Sequence, residues 1–331
     1  MNSKISIGLD VGNSDIKTRN TSTPSGFSSY QKAPFNVDNY LHYNGMFYVP
    51  EYDRFPYSKD KTQNDNLIKF SLFGIANEII ARCTQDFYQT NINRSLRHED
   101  IQKRIDEIEY INLGFGLPPT HCASLSDKTI AYYYDRFNNM KSFEYNGYTF
   151  SLKLDKSKCY PQDFAAIVGY NPKDRDSIIK NFDSYYAIDI GGYTVDIITI
   201  VNGKPSLQKS DSKPLGIITM YNSMIQEIDI EEGIRLTMDT IEKVLLNKPT
   251  ILDDSTKKII YSKTESWYHH IINELIQFGL DFSVYPAIFL GGGSLMYWDY
   301  IKNDPIIKKC ELISNPNANA IAYEKLISNI K

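Results

Sequence analysis

The stretch I-G-L-D-V-G-N-S-D-I-K at residues 7–17 has a counterpart, A-I-D-I-G-G-Y-T-V-D, at residues 187–196, and A-I-F-L-G-G-G-S at residues 287–294 completes the set. All three share one grammar: an apolar strand that runs into a turn of glycine and small polar residues. Glycine lets backbone N–H groups approach an anion closely, and successive N–H groups then cradle phosphate oxygens. An aspartate at the strand end, Asp10 or Asp189, suits a hydrated Mg²⁺ held through water. Lys17, seven residues after Asp10, can return across the turn to neutralise phosphate charge. One D-x-G turn alone is usually an ordinary hairpin. The chain has neither a G-x-x-x-x-G-K-[ST] loop nor a G-x-G-x-x-G fingerprint after a strand. What carries weight is the order: two D-x-G loops about 180 residues apart, then a GGG loop about 100 further on. A duplicated fold that closes two phosphate clamps on one nucleotide accounts for that order.

The flanking sequence fills in an α/β pattern. Residues 3–11 read as a strand in which Ile5, Ile7 and Leu9 alternate. Residues 20–62, rich in Ser, Pro, Asn and Tyr, predict short strands and loops, with a hairpin over 40–49 around Asn44-Gly45. A helix is expected from Asp65 as N-cap, since Leu67, Ile68, Leu72, Ile75 and Ile79 recur at helical spacing. Residues 109–115 read as a strand closed by Gly116 to Pro119, 127–138 as a helix, and 143–154 as a hairpin at Asn146-Gly147. The second half gives strands over 185–190 and 195–201, the latter turning at Asn202-Gly203. Helices follow over 215–227, 235–247 and 254–279, then a short strand at 287–290 and a closing helix over 318–330.

Composition narrows the function. The chain has 331 residues, 42% hydrophobic and 13% aromatic. That is enough for two domains with buried cores. With 36 Lys+Arg against 40 Asp+Glu the net charge is −4, which argues against a broad basic face for nucleic acid but leaves room for a local strip. Cys83, Cys122, Cys159 and Cys310 lie far apart with no C-x-x-C pair, so structural zinc is not expected and the thiols are read as reduced. The amino end carries only a short apolar stretch, and no uncharged run approaches a membrane span. A cytoplasmic protein without membrane contact is the expectation.

The loop order resembles the superfamily that joins actin, the heat-shock chaperone ATPases and the sugar kinases. Within it the chain is similar to the plasmid-segregating actin-like proteins of the ParM/StbA family. The resemblance runs from residue 5 to about 328 and rests on D-V-G-N-x-x-x-K in the first loop, N-D-N-L-I-K-F-S-L at 64–72 and G-F-G-L-P at 114–118. It rests also on L-T-M-D-T-I-E-K-V-L at 236–245 and N-P-N-A-N-A-I-A-Y at 315–323. It implies an actin-like ATPase fold, with two related RNase H-like α/β domains around a nucleotide cleft. Domain I would span 1–165 plus a closing helix at about 318–331, and domain II 166–317.

The resemblance also implies roles. Asp10 and Asp189 would hold Mg²⁺ through its water shell. Gly12, Asn13, Ser14 and Lys17 would contact the β- and γ-phosphates, with Gly191, Gly192, Tyr193 and Thr194 facing them. The family usually places a carboxylate after Pro161, whereas this chain has Gln162 and then Asp163. Gln162 is read as the residue that positions the attacking water, with Asp163 as the alternate. Glu242 and Lys243 match a helix facing ribose and base, although such a pair is as readily a solvated helix face. Gly291, Gly292, Gly293, Ser294 and Leu295 would line the adenine. Gly216 is read as a hinge, a helix start or a plain turn.

The implied function is a filament that assembles with ATP or GTP, hydrolyses it, and moves plasmid DNA. An adaptor protein at a centromere would make the DNA contact, with no direct nucleic-acid binding by this chain. A small-molecule kinase of the sugar or acetate type is the alternative, as is a nonpolymerising actin-like ATPase. No acceptor-side base stands out for the kinase.

Overall fold

The computed structural model describes residues 3–330 apart from 36, 52–54, 56–57, 59, 92–93, 171 and 173. Lys331, the end of the expected closing segment, lies outside the described residues. The chain divides into two compact units, one formed by Met1–Tyr170 with Asn317–Lys331 and the other by Asn171–Pro316.

Unit 1 begins with β1 (Ser3–Val11), β2 (Asp15–Lys17), β3 (Ser22–Pro24), β4 (Phe27–Tyr30), β5 (Leu41–Tyr43) and β6 (Met46–Pro50). A 3₁₀ turn (Lys61–Gln63) leads to α1 (Asn66–Thr90), α2 (His98–Asp106), β7 (Ile108–Leu117) and α3 (Pro119–Asn139). Then come β8 (Phe143–Tyr145), β9 (Tyr148–Phe150), β10 (Lys153–Pro161) and α4 (Phe164–Gly169). Unit 2 contains α5 (Ile178–Asn181), β11 (Tyr185–Ile190), β12 (Val195–Val201), β13 (Lys204–Lys213), α6 (Ile217–Glu232) and α7 (Met238–Leu245). It continues with α8 (Asp254–Gln277), β14 (Ala287–Leu290), α9 (Gly292–Met296), α10 (Trp298–Asn303) and β15 (Cys310–Leu312), before α11 (Ala318–Ser328) returns to unit 1.

The two units repeat one sheet. In unit 1 the order is β10-β7-β1-β2-β3, with β10, β7 and β1 parallel and β2 and β3 antiparallel. In unit 2 it is β15-β14-β11-β12-β13, with the same three parallel and two antiparallel strands. The duplicated α/β architecture expected from the paired loops is therefore present. A third sheet, β4-β6-β5-β8-β9, belongs to unit 1 alone and joins the two Asn-Gly hairpins through the Leu41–Tyr145 pair. Asn44 and Gly45, like Asn146 and Gly147, take positive φ, as a two-residue hairpin turn with the right twist demands.

Alternation fills the cores. Ile7 and Leu9 of β1 are fully buried with Leu72 and Ile75 of α1, and Ile188, Ile190 and Phe289 are fully buried in unit 2. Each such side chain stabilises its unit by roughly 1.5–3 kcal/mol relative to exposure. α11 closes unit 1 by lying across β1 and β7, and only glycine admits it: a Cβ on Gly8 would stand 1.8 Å from the Ala320 carbonyl oxygen. Glu324 of α11 accepts from Arg19 at 2.8 Å and from Arg82, which also binds the fully buried Glu78 at 2.6 Å.

Several local expectations need correction. Asp65 holds the N-cap position of α1 as expected, but its side chain makes no capping hydrogen bond and pairs with Arg136 at 2.7 Å, while Asn64 Oδ1 accepts from the Asn66 N–H at 2.9 Å. α3 starts at Pro119 rather than 127, because proline fits the first helical position and the Thr, His, Cys, Ala and Ser that follow give no apolar period. The 143–154 hairpin ends at Phe150, and Lys153 opens β10, which pairs with β7. α7 is shorter than 235–247, starting after the Thr237 cap. The GGG segment is not a loop throughout, since α9 begins at Gly292. The unit boundary follows Tyr170 rather than 165 because α4 packs on α11, where a Cβ on Gly169 would meet Ala322 Cβ at 2.7 Å. α2, β10 and β13 went unforeseen, their charged residues masking the buried positions such as Ile101 and Ile105.

Candidate functional site

In unit 1 the antiparallel β1–β2 pair sets Asp10 directly opposite Lys17, and the Gly12 N–H donates to the Asp15 carbonyl at 3.0 Å. Opposed residues share a face, so the buried Asp10 has a lysine on its own side of the hairpin. Ser25 clamps the turn: its hydroxyl donates to the Gly12 carbonyl at 2.9 Å and its N–H to the Ser14 carbonyl at 3.1 Å. Ser14 donates to Asp15 Oδ2 at 2.8 Å.

A cavity of about 40 Å³ lies beside this turn, lined by Gly12, Asn13, Ser25, Lys61, Leu67 and Phe70 among others. Lys61 was not foreseen. Its ammonium turns inward and donates to the Val11 carbonyl at 2.5 Å. Burial pushes its pKa down to about 8, and the nearby Asp10 charge opposes that shift. Asp60 fixes the turn that carries it, accepting from the Thr62 N–H at 3.0 Å and from Lys128 at 2.6 Å. The Lys128 hydrogen bond holds the Asp60 carboxyl down at about 2. No local pattern in S-K-D-K-T-Q-N announces Lys61; only the fold brings it to the hairpin.

Gln162 and Asp163 separate cleanly. The Gln162 side chain donates to Asp10 Oδ1 at 3.3 Å, and its N–H donates to the Leu117 carbonyl at 2.8 Å. Asp163 sits at φ 62, ψ −45, and the Phe164 N–H reaches the Gln162 carbonyl at 2.6 Å across it. That is a γ-turn, a rare conformation that costs about 1–3 kcal/mol for a non-glycine residue. Asn319 of α11 holds it. Its amide oxygen accepts from the Asp163 N–H at 2.8 Å and its NH₂ donates to Asp163 Oδ1 at 2.9 Å. The strained turn thus aims Gln162 at Asp10 and commits Asp163 to α11.

Unit 2 repeats the hairpin in the same register. Asp189 lies opposite Asp196, and the Gly191 N–H donates to the Thr194 carbonyl at 2.9 Å. The residue opposite the strand-end aspartate is now acidic. Burial pushes the Asp196 carboxyl up to about 6, and the Asp189 charge adds to that shift, while hydrogen bonds from Ser212 and Thr194 offset part of it. Thr194 Oγ1 donates to Asp196 Oδ2 at 3.0 Å. Asp196 was also missed, although it stands seven residues after Asp189 as Lys17 stands seven after Asp10.

The Gly192 carbonyl accepts from Ile218 at 2.7 Å and the Tyr193 carbonyl from Gly216 at 3.1 Å. Gly216 is accordingly the N-cap of α6. The GGG turn reaches the same aspartate: at φ 86, a Cβ on Gly291 would stand 2.0 Å from Asp189 Oδ1. Gly292 faces open space, and the fully buried Ser294 hydroxyl has no hydrogen-bond partner among the described residues. Leu295 is exposed. Glu242 and Lys243 lie on the exposed side of α7, Lys243 bound to Asp239 at 2.6 Å, which is the geometry of a solvated helix face. Asp189, Asp196, the 191–194 turn and the 291–294 turn therefore form one cluster in unit 2. Asp10, Lys17, the 12–14 turn, Gln162 and Lys61 form another in unit 1.

No protein-family model matches the chain, and neither does any curated protein. Solved structures do. Ta0583, an archaeal actin homolog whose complex with ADP also matches, superposes with a TM-score of 0.69 at 16% identity over 98% of this chain and 100% of that one. A 15-stranded ParM filament from Clostridium botulinum gives 0.64 at 19% identity over 100% of both chains. The apo psk41 parM protein gives 0.62 at 16% identity over 99% and 98%. The chain has the actin-like ATPase fold. Within that fold its solved neighbours include ParM proteins and an archaeal actin homolog.

Proposed function

We propose that this protein is a filament-forming actin-like ATPase of the ParM kind, which binds Mg-ATP (or Mg-GTP), hydrolyses it, and uses assembly to segregate plasmid DNA. The observation that carries the reading is the twinned hairpin. Asp10 and Asp189 occupy the same register in two copies of one sheet, each at the tip of a strand entering a glycine turn.

The residues fit a magnesium nucleotide. Two strand-end carboxylates are hard oxygen donors suited to a hydrated Mg²⁺, and the uncovered Gly292 leaves room beside Asp189 for a ligand. Asp10 and Asp189 would hold the metal through water. When bound, the metal neutralises developing charge on the phosphates. In unit 1, Gly12, Asn13 and Ser14 would present backbone N–H groups to the phosphates, with Lys17 and Lys61 supplying positive charge. In unit 2, Gly191 to Thr194 and Gly291 to Ser294 would contribute. Gln162 would orient the attacking water: its amide both donates and accepts, and the γ-turn holds it beside Asp10. Hydrolysis of this type is almost wholly positioning, so turnover is expected to be slow enough to act as a timer.

Ta0583 has been solved with ADP and ParM proteins as filaments; for this chain the same cycle would mean head-to-tail addition of identical subunits. The net charge of −4 suits a protein that meets DNA through an adaptor rather than directly. A cytoplasmic location fits a plasmid-moving role, and no helix among the described residues is long and apolar enough to cross a membrane. The test is electron microscopy and light scattering at micromolar protein with ATP, GTP or ADP. Filaments that form with triphosphate and shorten as phosphate is released are expected; a monomer in every nucleotide state overturns the reading.

A further inference from the structure

Cys122 and Cys159 stand apart from the nucleotide reading, and their geometry is unusual for two thiols with no metal cluster among the described residues. Their sulfurs lie 3.5 Å apart, about 1.5 Å beyond bonding distance and within reach of small side-chain rotations. Cys122 is in the first turn of α3, where its N–H donates to the Pro118 carbonyl at 2.9 Å, and it is half-buried; Cys159 is a buried residue of β10 paired with Phe115 of β7. A helix N-terminus favours a thiolate. The contact shared with Cys159 pulls the Cys122 thiol below its ordinary value, while Cys159 is pushed up by that same contact and by burial. One thiol is thus the accessible nucleophile and the other the resolving partner.

The pair also sits at a mechanically useful place. α3 leaves β7 directly after Leu117, and β10 ends at Pro161, one residue before Gln162. The Gln162 N–H already donates to the Leu117 carbonyl at 2.8 Å. A covalent tie between 122 and 159 would join the segment following β7 to the strand that delivers Gln162.

We propose that Cys122 and Cys159 form a dithiol–disulfide site that, on reaction with a low-molecular-weight disulfide such as oxidised glutathione, fixes the Gln162 turn. The Cys122 thiolate attacks one sulfur of oxidised glutathione and expels glutathione thiolate. Cys159 then gives up its proton and attacks the Cys122 sulfur of the mixed disulfide, releasing the second glutathione thiolate. The two protons from the protein thiols end on the two glutathiones, so two thiols are oxidised and one disulfide is reduced.

The disulfide and its effect on the Gln162 turn do not rest on the nucleotide reading, so the test uses no nucleotide. The full chain is incubated with oxidised glutathione, alkylated, digested without reduction and analysed by mass spectrometry. One cross-linked peptide pair, Cys122 with Cys159, lighter by two hydrogens, is expected, with Cys83 and Cys310 alkylated. The Cys159→Ser chain should accumulate a glutathione adduct at Cys122. Hydrogen exchange at 160–164 should slow roughly tenfold in the oxidised protein and recover with reductant. Alkylation of all four cysteines, or a different pairing, overturns the site; unchanged exchange at 160–164 in cross-linked protein overturns its link to the turn.

Discussion

Replacing Asp196 by asparagine should stabilise unit 2 at pH 8 and leave it no more stable at pH 4. Asp196 faces Asp189 across the β11–β12 pair, and burial with that neighbouring charge pushes its carboxyl up to about 6 from an ordinary 3.8. Between those two values the folded protein keeps a proton that the unfolded chain has released. The native state therefore binds more protons than the unfolded state, and stability falls as pH rises through this window. The shift is roughly two pH units at 1.36 kcal/mol each, so ionised Asp196 costs about 3 kcal/mol above pH 6. Asparagine keeps an oxygen for the Thr194 hydroxyl, which donates to Asp196 at 3.0 Å, and removes the charge. The measurement is urea unfolding without divalent cations, followed by tryptophan fluorescence. Both tryptophans, Trp267 and Trp298, lie in unit 2, so the signal reports on the unit that was changed. With a urea slope of about 2 kcal/mol/M, the variant's midpoint at pH 8 should rise by about 1.5 M, and the difference should vanish near pH 4. Parallel pH profiles for the two proteins would refute the paired-carboxylate argument.

Other outcomes follow from the same geometry. Asn319→Ala removes both hydrogen bonds that hold Asp163 in its γ-turn. It should cost about 2–4 kcal/mol and raise proteolysis at 161–165; an unaltered unfolding midpoint counts against the lock. Gln162→Ala should slow phosphate release at least tenfold while sparing nucleotide affinity, and Asp189→Ala should abolish release. Equal turnover in both variants and the parent would remove the site assignment. Lys61→Met should weaken triphosphate binding about tenfold. In the parent, affinity should decline as pH rises past about 8, where the free Lys61 loses its charge. Because this lysine is depressed, the unfolded chain binds the extra proton between about 8 and 10.5, so folding stability changes in the opposite direction and rises there. A flat affinity profile from pH 7 to 9.5 would take Lys61 out of phosphate contact.

The sheet cores and their loops were legible because strand alternation and glycine turns are local. Ile5, Ile7 and Leu9 before Gly12, and Ile188 and Ile190 before Gly191, need only a period of two and a turn residue. What escaped was whatever depends on a partner far along the chain. β10, K-L-D-K-S-K-C-Y-P, is mostly charged or polar and is a strand because β7 accepts it in parallel. Asp163, the alternate to Gln162 for positioning water, gives no local sign that Asn319 of α11, more than 150 residues later, binds it. Lys61 becomes a site residue only because the turn capped by Asp60 folds back on Val11. Asp65 is the N-cap residue of α1 as read, but its side chain is drawn off by Arg136 of α3.

The duplication explains one feature that neither hairpin would reveal alone. Two copies of one register, with the same N–H bond from the first turn residue across the turn, carry opposite charges at the position facing the aspartate: Lys17 in unit 1 and Asp196 in unit 2. A lysine stands opposite Asp10, whereas Asp196 stands opposite another carboxylate, Asp189, and burial with that neighbouring charge pushes the Asp196 carboxyl up. The first hairpin thus sets opposite charges across its register, and in the second a proton or a cation would relieve the like charges. In the nucleotide reading this assigns the halves different work. Unit 1 would bring lysine charge to the phosphates, and unit 2 would gain stability from the metal that arrives with them. Ligand binding should therefore raise the unfolding midpoint of unit 2 more at pH 8 than at pH 5, and this pH dependence should be absent in Asp196→Asn.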